Sequence, residues 1–150
     1  MRAPLLRCAA AASLALAAFA AQADIFLVVS TANPVRTMTQ KQALDLYMGR
    51  TRNFPNGDYA LPFDQARDAP ARAEFYALLT GMDLAQVNSY WARLMFTGQT
   101  MPPQPLPNEA AVIEVVRRNP GAIGYLSHAP AADKGLAVVL VLKEARSAAH

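Results

Sequence analysis

The chain has 150 residues, which is the size of one ordinary domain, and it contains 53% hydrophobic residues with a formal net charge of +3. Its single cysteine excludes a disulfide framework and disfavours zinc sites built from cysteine ligands.

The first 23 residues have the pattern of a secretory signal peptide. Arg2 and Arg7 give a positive start, an apolar run follows, and Ala21-Gln22-Ala23 supplies the small residues that a signal peptidase recognises. The apolar run has about 14 residues, fewer than the roughly 20 that span a membrane. We therefore expect cleavage after Ala23 and a periplasmic protein that comprises residues 24–150.

Removal of this segment changes the charge of the chain. It takes away two arginines and no acidic residue, which lowers the formal net charge to about +1. A nearly neutral chain has no basic field to attract nucleic acid, so we expect no nucleic-acid partner. The remaining chain of about 127 residues is long enough to form a hydrophobic core without disulfides.

The mature chain begins with a predicted strand and a predicted helix. Ile25–Val29 is continuously apolar, as in a strand buried on both faces, and Asn33-Pro34 ends it. Either Thr37 or Thr39 is expected to cap the first helix. Gly49 is expected to end that helix.

A second strand and a second helix are predicted to follow. The strand covers Tyr59–Phe63, and a loop is expected over Asp64–Pro70. Asp68 is a suitable N-cap, Pro70 suits the first turn of the second helix, and Gly81 ends it.

A third helix is predicted to start at Asp83 and to bury one apolar face, with Trp91 and Leu94 in the core. This face consists of Val87, Tyr90, Trp91, Leu94 and Met95. The proline-rich segment 97–107 is predicted to be extended and exposed.

The last part of the chain is predicted to add a helix and two strands. Asn108 caps the helix Glu109–Arg118, and the strands cover Ala122–Leu126 and Leu136–Leu142. Strands that alternate with helices favour an α/β fold with a mainly parallel sheet flanked by helices. Ligands of such sheets bind beyond the carboxyl ends of strands, here residues 30–33, 64–70 and 125–128.

The motifs of common enzyme classes are absent from the sequence, including G-x-S-x-G, the P-loop, G-x-G-x-x-G and H-E-x-x-H. The two histidines are His128 and His150; Ser127 is adjacent to His128 and Asp133 follows five residues on, but nothing positions a nucleophile elsewhere in the chain. Histidines and cysteines do not cluster. We therefore expect no catalytic activity, no metal site and no cofactor.

Two arginines near the predicted start of the second helix suggest a site for an anion. Arg67 and Arg72 flank the helix start, and a helix N-terminus with nearby guanidinium groups binds anions well. The alternative is that these arginines are solvated, one of them paired with Asp68 or Glu74.

Several short motifs, taken in order, resemble those of one family. They are Asn33-Pro34, Leu46-Tyr47-Met48-Gly49, Asn53-Phe54-Pro55-Asn56-Gly57, Pro62-Phe63-Asp64-Gln65, Arg72-x-x-Phe75-Tyr76, Trp91-x-x-x-x-Phe96-x-Gly98 and Pro120-Gly121-Ala122-Ile123-Gly124-Tyr125. This series resembles the phosphate ABC transporter substrate-binding proteins, in a small subgroup with a type II periplasmic-binding-protein-like fold. The resemblance covers almost the whole mature chain.

The resemblance implies a periplasmic solute receptor with two α/β lobes and an oxyanion bound between them at helix N-termini. This chain has about half the usual length of that family, so we expect about one lobe. The family's Ser-Gly-Thr loop falls at Asp68-Ala69-Pro70-Ala71, where the hydroxyl groups are lost and proline has no N–H to donate.

We expect a ligand site formed by Gln65, Arg67 and Arg72, with Asn33 and Tyr125 opposite. The implied ligand is a small oxyanion such as phosphate, held weakly, and the implied partner is a membrane transporter or sensor. The alternative is a one-lobe periplasmic interaction or sensor-accessory module that does not bind phosphate.

Overall fold

Five strands and four α-helices make up the part of the chain that the computed structural model describes, residues 24–144. The strands are β1 (Ile25–Ser30), β2 (Leu61–Gln65), β3 (Gln104–Leu106), β4 (Ala122–Leu126) and β5 (Leu136–Leu142). The helices are α1 (Gln40–Tyr47), α2 (Pro70–Thr80), α3 (Leu84–Phe96) and α4 (Glu109–Arg118), and Ala132–Lys134 forms a short 3₁₀ turn. The predicted signal peptide and its cleavage site lie outside the described residues.

The strands form one sheet in the order β3-β2-β4-β1-β5. β2 runs parallel to β3 and β4, whereas β1 is antiparallel to both of its neighbours, β4 and β5. Four strands therefore share one direction and only β1 opposes them, which confirms the predicted α/β class with a mainly parallel sheet. The reversed β1 places residues 30–33 at the edge opposite the ends of β2 and β4, so the prediction that these three segments share one edge is wrong.

Helices cover both faces of the sheet. On one face α1, α2 and α3 pack over Ile25, Leu27 and Val29 of β1, and on the other face α4 packs over Val28. This two-sided burial explains why β1 is apolar at consecutive positions. On the α4 face a Cβ atom at Gly124 would lie 2.6 Å from a methyl group of Val112, so only glycine permits α4 to approach β4 this closely.

Three of the four helices begin with the side-chain caps that the sequence predicts. Thr39 and Asp83 form capping boxes with Gln42 and Gln86, and the Asn108 side chain accepts from the N–H of Ala111. Among residues 24–144, no helix combines the length and the apolar character needed to cross a membrane.

Helix α2 begins differently from the prediction. Its N-cap is Ala69, which offers no side-chain hydrogen bond, and Pro70 occupies the first turn. The exposed Asp68 lies one residue before the cap, so its predicted role as N-cap is wrong. The start of α2 thus lacks both a capping side chain and one of its N–H groups.

The region around the second and third strands departs furthest from the predicted boundaries. β2 extends to Gln65, so Asp64 and Gln65 end a strand instead of starting a loop. β3 lies inside the proline-rich segment, where the sequence predicts no strand. Its three residues include Pro105, which is tolerated because β3 is an edge strand.

Helix α3 buries a narrower face than the sequence predicts. Trp91 is 5% exposed, which confirms its place in the core. Leu94 is only partly buried, and Met95 is half exposed. Phe96, the last residue of α3, is 93% exposed.

Replacement of Trp91 by alanine tests this assignment of the core. We expect Trp91→Ala to lower the free energy of unfolding by about 3–5 kcal/mol, because it removes a large buried ring and leaves a cavity. Phe96→Ala in the same helix is the matched control, with an expected change within about 0.5 kcal/mol. Urea denaturation measures both, and equal effects would contradict the assignment.

Candidate functional site

A buried carboxylate at the end of β2 receives four hydrogen bonds. One oxygen of Asp64, Oδ1, accepts from the Tyr125 hydroxyl at 2.5 Å and from the Gln65 backbone N–H at 2.8 Å. The other, Oδ2, accepts from Arg72 Nε at 3.1 Å and from the Tyr76 hydroxyl at 2.9 Å. A charge inside a protein is tolerated only when it is paired and hydrogen-bonded in this way.

Local sequence spacing and strand order bring these groups together. Arg72 and Tyr76 are four residues apart on α2, so they lie on one face of that helix. β4 is the parallel neighbour of β2, and Tyr125 lies near its carboxyl end as Asp64 does in β2. Gln65 also donates from Nε2 to the backbone oxygen of Tyr125 at 2.9 Å, which ties the ends of the two strands together.

The tyrosines around this carboxylate act as hydrogen-bond donors. Burial raises the pKa of Tyr76 and of Tyr125 well above the ordinary value, and the negative charge of Asp64 raises each pKa further. Both hydroxyls therefore stay protonated at neutral pH and keep donating to Asp64. The Phe75 ring stacks on the Tyr125 ring with 3.9 Å between centroids, which fixes the position of that donor.

A groove of about 750 Å³ lies beside this cluster. Its lining comprises residues 64–67 and Arg72, the α3 residues Asn88, Trp91, Ala92 and Met95, and, from the proline-rich segment, Pro102, Pro103, Pro105, Leu106 and Pro107. A second cavity of about 490 Å³ shares Trp91, Met95, Pro102 and Pro103 with the groove and extends toward Tyr59 and Met101. These four residues thus lie between two neighbouring depressions.

Two nitrogen atoms at the groove have no hydrogen-bond partner among the described residues. They are Nη1 of Arg72, a residue that is 8% exposed, and Nε1 of Trp91. Both residues line the groove. Each of these nitrogens can only donate a hydrogen bond, and buried donors of this kind are almost always paired in folded proteins.

The structure brings three of the five predicted site residues into one cluster. Gln65, Arg72 and Tyr125 all lie at the Asp64 carboxylate. Arg67 is exposed and lines the groove beside them. The alternative pairing of Arg72 with Asp68 or Glu74 is wrong, because its guanidinium pairs with Asp64.

Asn33 lies at the opposite edge of the sheet, away from the other four. Its Nδ2 donates to the backbone oxygen of Pro120 at 2.8 Å, and its Oδ1 accepts from the N–H of Val35 at 2.8 Å. These bonds connect the turn after β1 to the turn before β4. The buried side chain of Asn33 therefore holds two turns together. It lies away from the groove because β1 runs antiparallel to β4.

Sequence reasoning missed Asp64, Tyr76 and the indole nitrogen of Trp91. The sequence pattern predicts a loop at Asp64, although a carboxylate that directly follows the apolar end of a strand signals a buried partner. The spacing of Arg72 and Tyr76 is the corresponding signal on the helix, since it gives α2 a polar pair on its otherwise apolar inner face.

A cluster of serine, histidine and glutamate follows β4. Ser127 Oγ lies 2.9 Å from His128 Nδ1, and Glu109 Oε2 lies 3.7 Å from the same nitrogen. A catalytic relay requires the nucleophile and the carboxylate at opposite ring nitrogens. This exposed cluster therefore does not have the geometry of a Ser-His-acid triad.

Comparison with solved structures identifies proteins of similar fold. One is a protein from Clostridium perfringens, assigned as a phosphate ABC transporter substrate-binding protein and solved with bound phosphate (TM-score 0.61, 21% identity, 78% of this chain and 45% of that chain). The others are an ABC-type phosphate transport receptor from Vibrio cholerae (0.58, 18%, 78% and 46%) and PstS from Borrelia burgdorferi (0.55, 14%, 79% and 47%).

These similarities concern the fold, and they confirm at that level the resemblance found in the sequence. The chain spans less than half the length of each of these neighbours. No protein-family model matches the chain, and no curated protein matches its sequence.

The pairing of Asp64 with Arg72 can be measured by a double-mutant cycle. We expect Arg72→Met to destabilise the protein by about 3–5 kcal/mol, because it leaves a buried carboxylate without its cation. When Asp64→Asn is added to Arg72→Met, much of the lost stability should return, because the amide can still accept from Tyr125 and can donate to Tyr76. Strictly additive losses in urea denaturation would contradict the pairing, and Arg67→Met on the exposed loop is the control.

Proposed function

We propose that this chain is a non-catalytic, solute-binding module of the periplasm that binds its ligand in the groove beside β2. The observation that carries the proposal is the Arg72 guanidinium. Asp64 fixes its Nε at 3.1 Å, while its Nη1 has no partner among the described residues and belongs to a side chain that lines the groove. A buried donor without a partner, on a rigidly held side chain that lines a concave surface, is typical of a binding site.

The charges at the groove support binding without catalysis. Asp64 is fully occupied by its four donors, so it has no free lone pair positioned to take a proton from a ligand. Tyr76 and Tyr125 hold their protons, because burial raises the pKa of both. The structural neighbours are named as transport receptors and substrate-binding proteins, which agrees with a role in binding.

Phosphate is the ligand that the structural neighbours suggest, but the groove has few free hydrogen-bond donors and little net positive charge to bind it. Asp64 neutralises the charge of Arg72 within the protein. Helix α2 begins at Ala69 and Pro70, which supply neither a hydroxyl group nor the proline N–H. A phosphate dianion needs hydrogen bonds to nearly all its oxygens, and this groove provides far fewer donors.

We therefore expect phosphate to bind weakly. Calorimetric titration of residues 24–150 should give a Kd of about 1 mM or higher, which corresponds to a binding free energy of roughly −4 kcal/mol. Arg67→Ala should lower the affinity for phosphate further, because Arg67 is the cation of the groove that Asp64 does not neutralise. Micromolar affinity for phosphate would contradict this prediction and would point to an oxyanion site elsewhere.

A second candidate function, a one-lobe interaction module, is favoured by the apolar surface near the end of α3. Phe96 is 93% exposed, and Met95, Met101 and Tyr59 are also exposed nearby. Exposed apolar side chains that cluster in this way typically mark a contact with another protein. This alternative would be supported if the protein binds a membrane transporter or sensor and Phe96→Ser abolishes that binding. The groove variant Arg67→Ala should leave the binding unchanged.

Export is part of the proposal and has its own test. Cleavage after Ala23 leaves β1 intact, because the strand begins at Ile25. We expect N-terminal sequencing of the protein from the periplasmic fraction to start at Asp24-Ile25. A chain that retains its first 23 residues and stays with the membrane fraction would contradict this expectation.

A further inference from the structure

Two buried donors belong to residues that line the groove, and no acceptor among residues 24–144 pairs with either of them. Arg72 Nη1 and Trp91 Nε1 come from different helices, α2 and α3, and both residues line one wall of the same groove. Because an indole N–H and a guanidinium N–H can only donate, the missing partners are acceptor oxygens. A ligand that brings an oxygen pair between the two helices would supply them.

The remainder of the groove indicates what that ligand carries besides oxygen. Pro102, Pro103, Pro105 and Pro107, together with Ala92 and the thioether of Met95, form a wall without charged groups. The volume of about 750 Å³ is far larger than an inorganic oxyanion and falls within the range of about 300–1,000 Å³ found for small organic ligands. The ligand therefore has an apolar body.

The charge balance of the groove sets the charge of the ligand. The lining contains Asp64, Arg67 and Arg72 as its only charged residues. Asp64 and Arg72 neutralise each other, which leaves the exposed Arg67 as a single net positive charge at the rim. One net charge and two fixed donors suit a singly charged group with two oxygens better than a dianion with four.

We propose that the groove binds an organic monocarboxylate with an apolar body. Its carboxylate accepts from Arg72 Nη1 and Trp91 Nε1, and its body lies against the proline segment and Met95. This inference rests on the proposed solute-binding function and adds the chemical class of the ligand.

Met95 controls access to the indole donor. Both unpaired nitrogens are shielded from solvent in this structure. Met95 lies four residues after Trp91 on α3, at the spacing of neighbours on one helix face, and both residues line the groove. Met95 is half exposed and unbranched, and its rotation would expose the donor to a ligand.

The single tryptophan of the chain gives a direct test of the inference. The mature protein labelled with ¹⁵N has one indole N–H resonance, and we expect 4-phenylbutyrate to shift it downfield to saturation, because the carboxylate accepts a hydrogen bond from Nε1. We expect the matched neutral probe 4-phenylbutyramide to bind at least about tenfold more weakly, because hydrogen bonds to a charged group are the stronger ones. We expect the same of inorganic phosphate, because it has no apolar body and needs more donors than the groove supplies.

Variants connect the binding to the two donors. Trp91→Phe keeps an aromatic ring in the core and removes the N–H, and it should weaken 4-phenylbutyrate binding by about tenfold. Met95→Ala should raise the association rate, because it removes a side chain beside the indole, and it should also raise the dissociation rate, because the apolar body of the ligand loses a contact. Phe96→Ser, which lies outside the groove, is the control and should bind as the unmodified protein does.

The possible failures can be told apart. Equal binding of the amide and the carboxylate, or tighter binding of phosphate, would overturn the carboxylate class and leave the solute-binding function in place. Saturable binding without a shift of the indole resonance would overturn the assignment of the donors. If none of the three probes binds, the inference fails, and failure of a wider set of organic solutes to bind would reject the proposed function in favour of the interaction module.

Discussion

The buried carboxylate of Asp64 is the constraint on which the described fold and its groove depend. Four donors from β2, α2 and β4 converge on it, so these three elements must adopt one relative position to satisfy the charge. A buried ion pair adds little net stability compared with apolar residues, but an incomplete one is strongly unfavourable. We interpret the cluster as a device that selects one arrangement of α2 against the sheet, and the position of Arg72 at the groove is its result.

The same ion pair separates the fold of this chain from the chemistry of its structural neighbours. A fold can host different sites, so the likeness to phosphate-binding proteins does not carry their ligand with it. Here Arg72 is committed to an internal acid, and the helix start beside it has neither a hydroxyl cap nor a full set of N–H groups. The groove is left with apolar walls, little net charge and two donors that have no partner among residues 24–144, and on this composition we base the proposal of an organic ligand.

The elements that sequence reasoning predicted well are those fixed by neighbouring residues. The caps at Thr39, Asp83 and Asn108 depend on contacts within three positions, and the apolar runs locate β1, β4 and β5 without reference to the rest of the chain. The direction of β1 depends instead on pairing with strands about 100 residues away, such as Phe26 with Leu126. The buried state of Asp64 likewise depends on three separate elements, so the local sequence pattern predicts only a loop there. The prediction for Asn33 fails because β1 runs in the opposite direction to β4.

The central position of β1 also bears on when the chain can fold. Its two partners in the sheet are β4 and β5, which the chain supplies only in its last third. Until those strands are available, the apolar β1 has no neighbouring strand to pair with, and closing so long a loop slows folding. A chain built in this way can complete its sheet only after nearly all of it has been synthesised, because the central strand comes first and both of its partners come last.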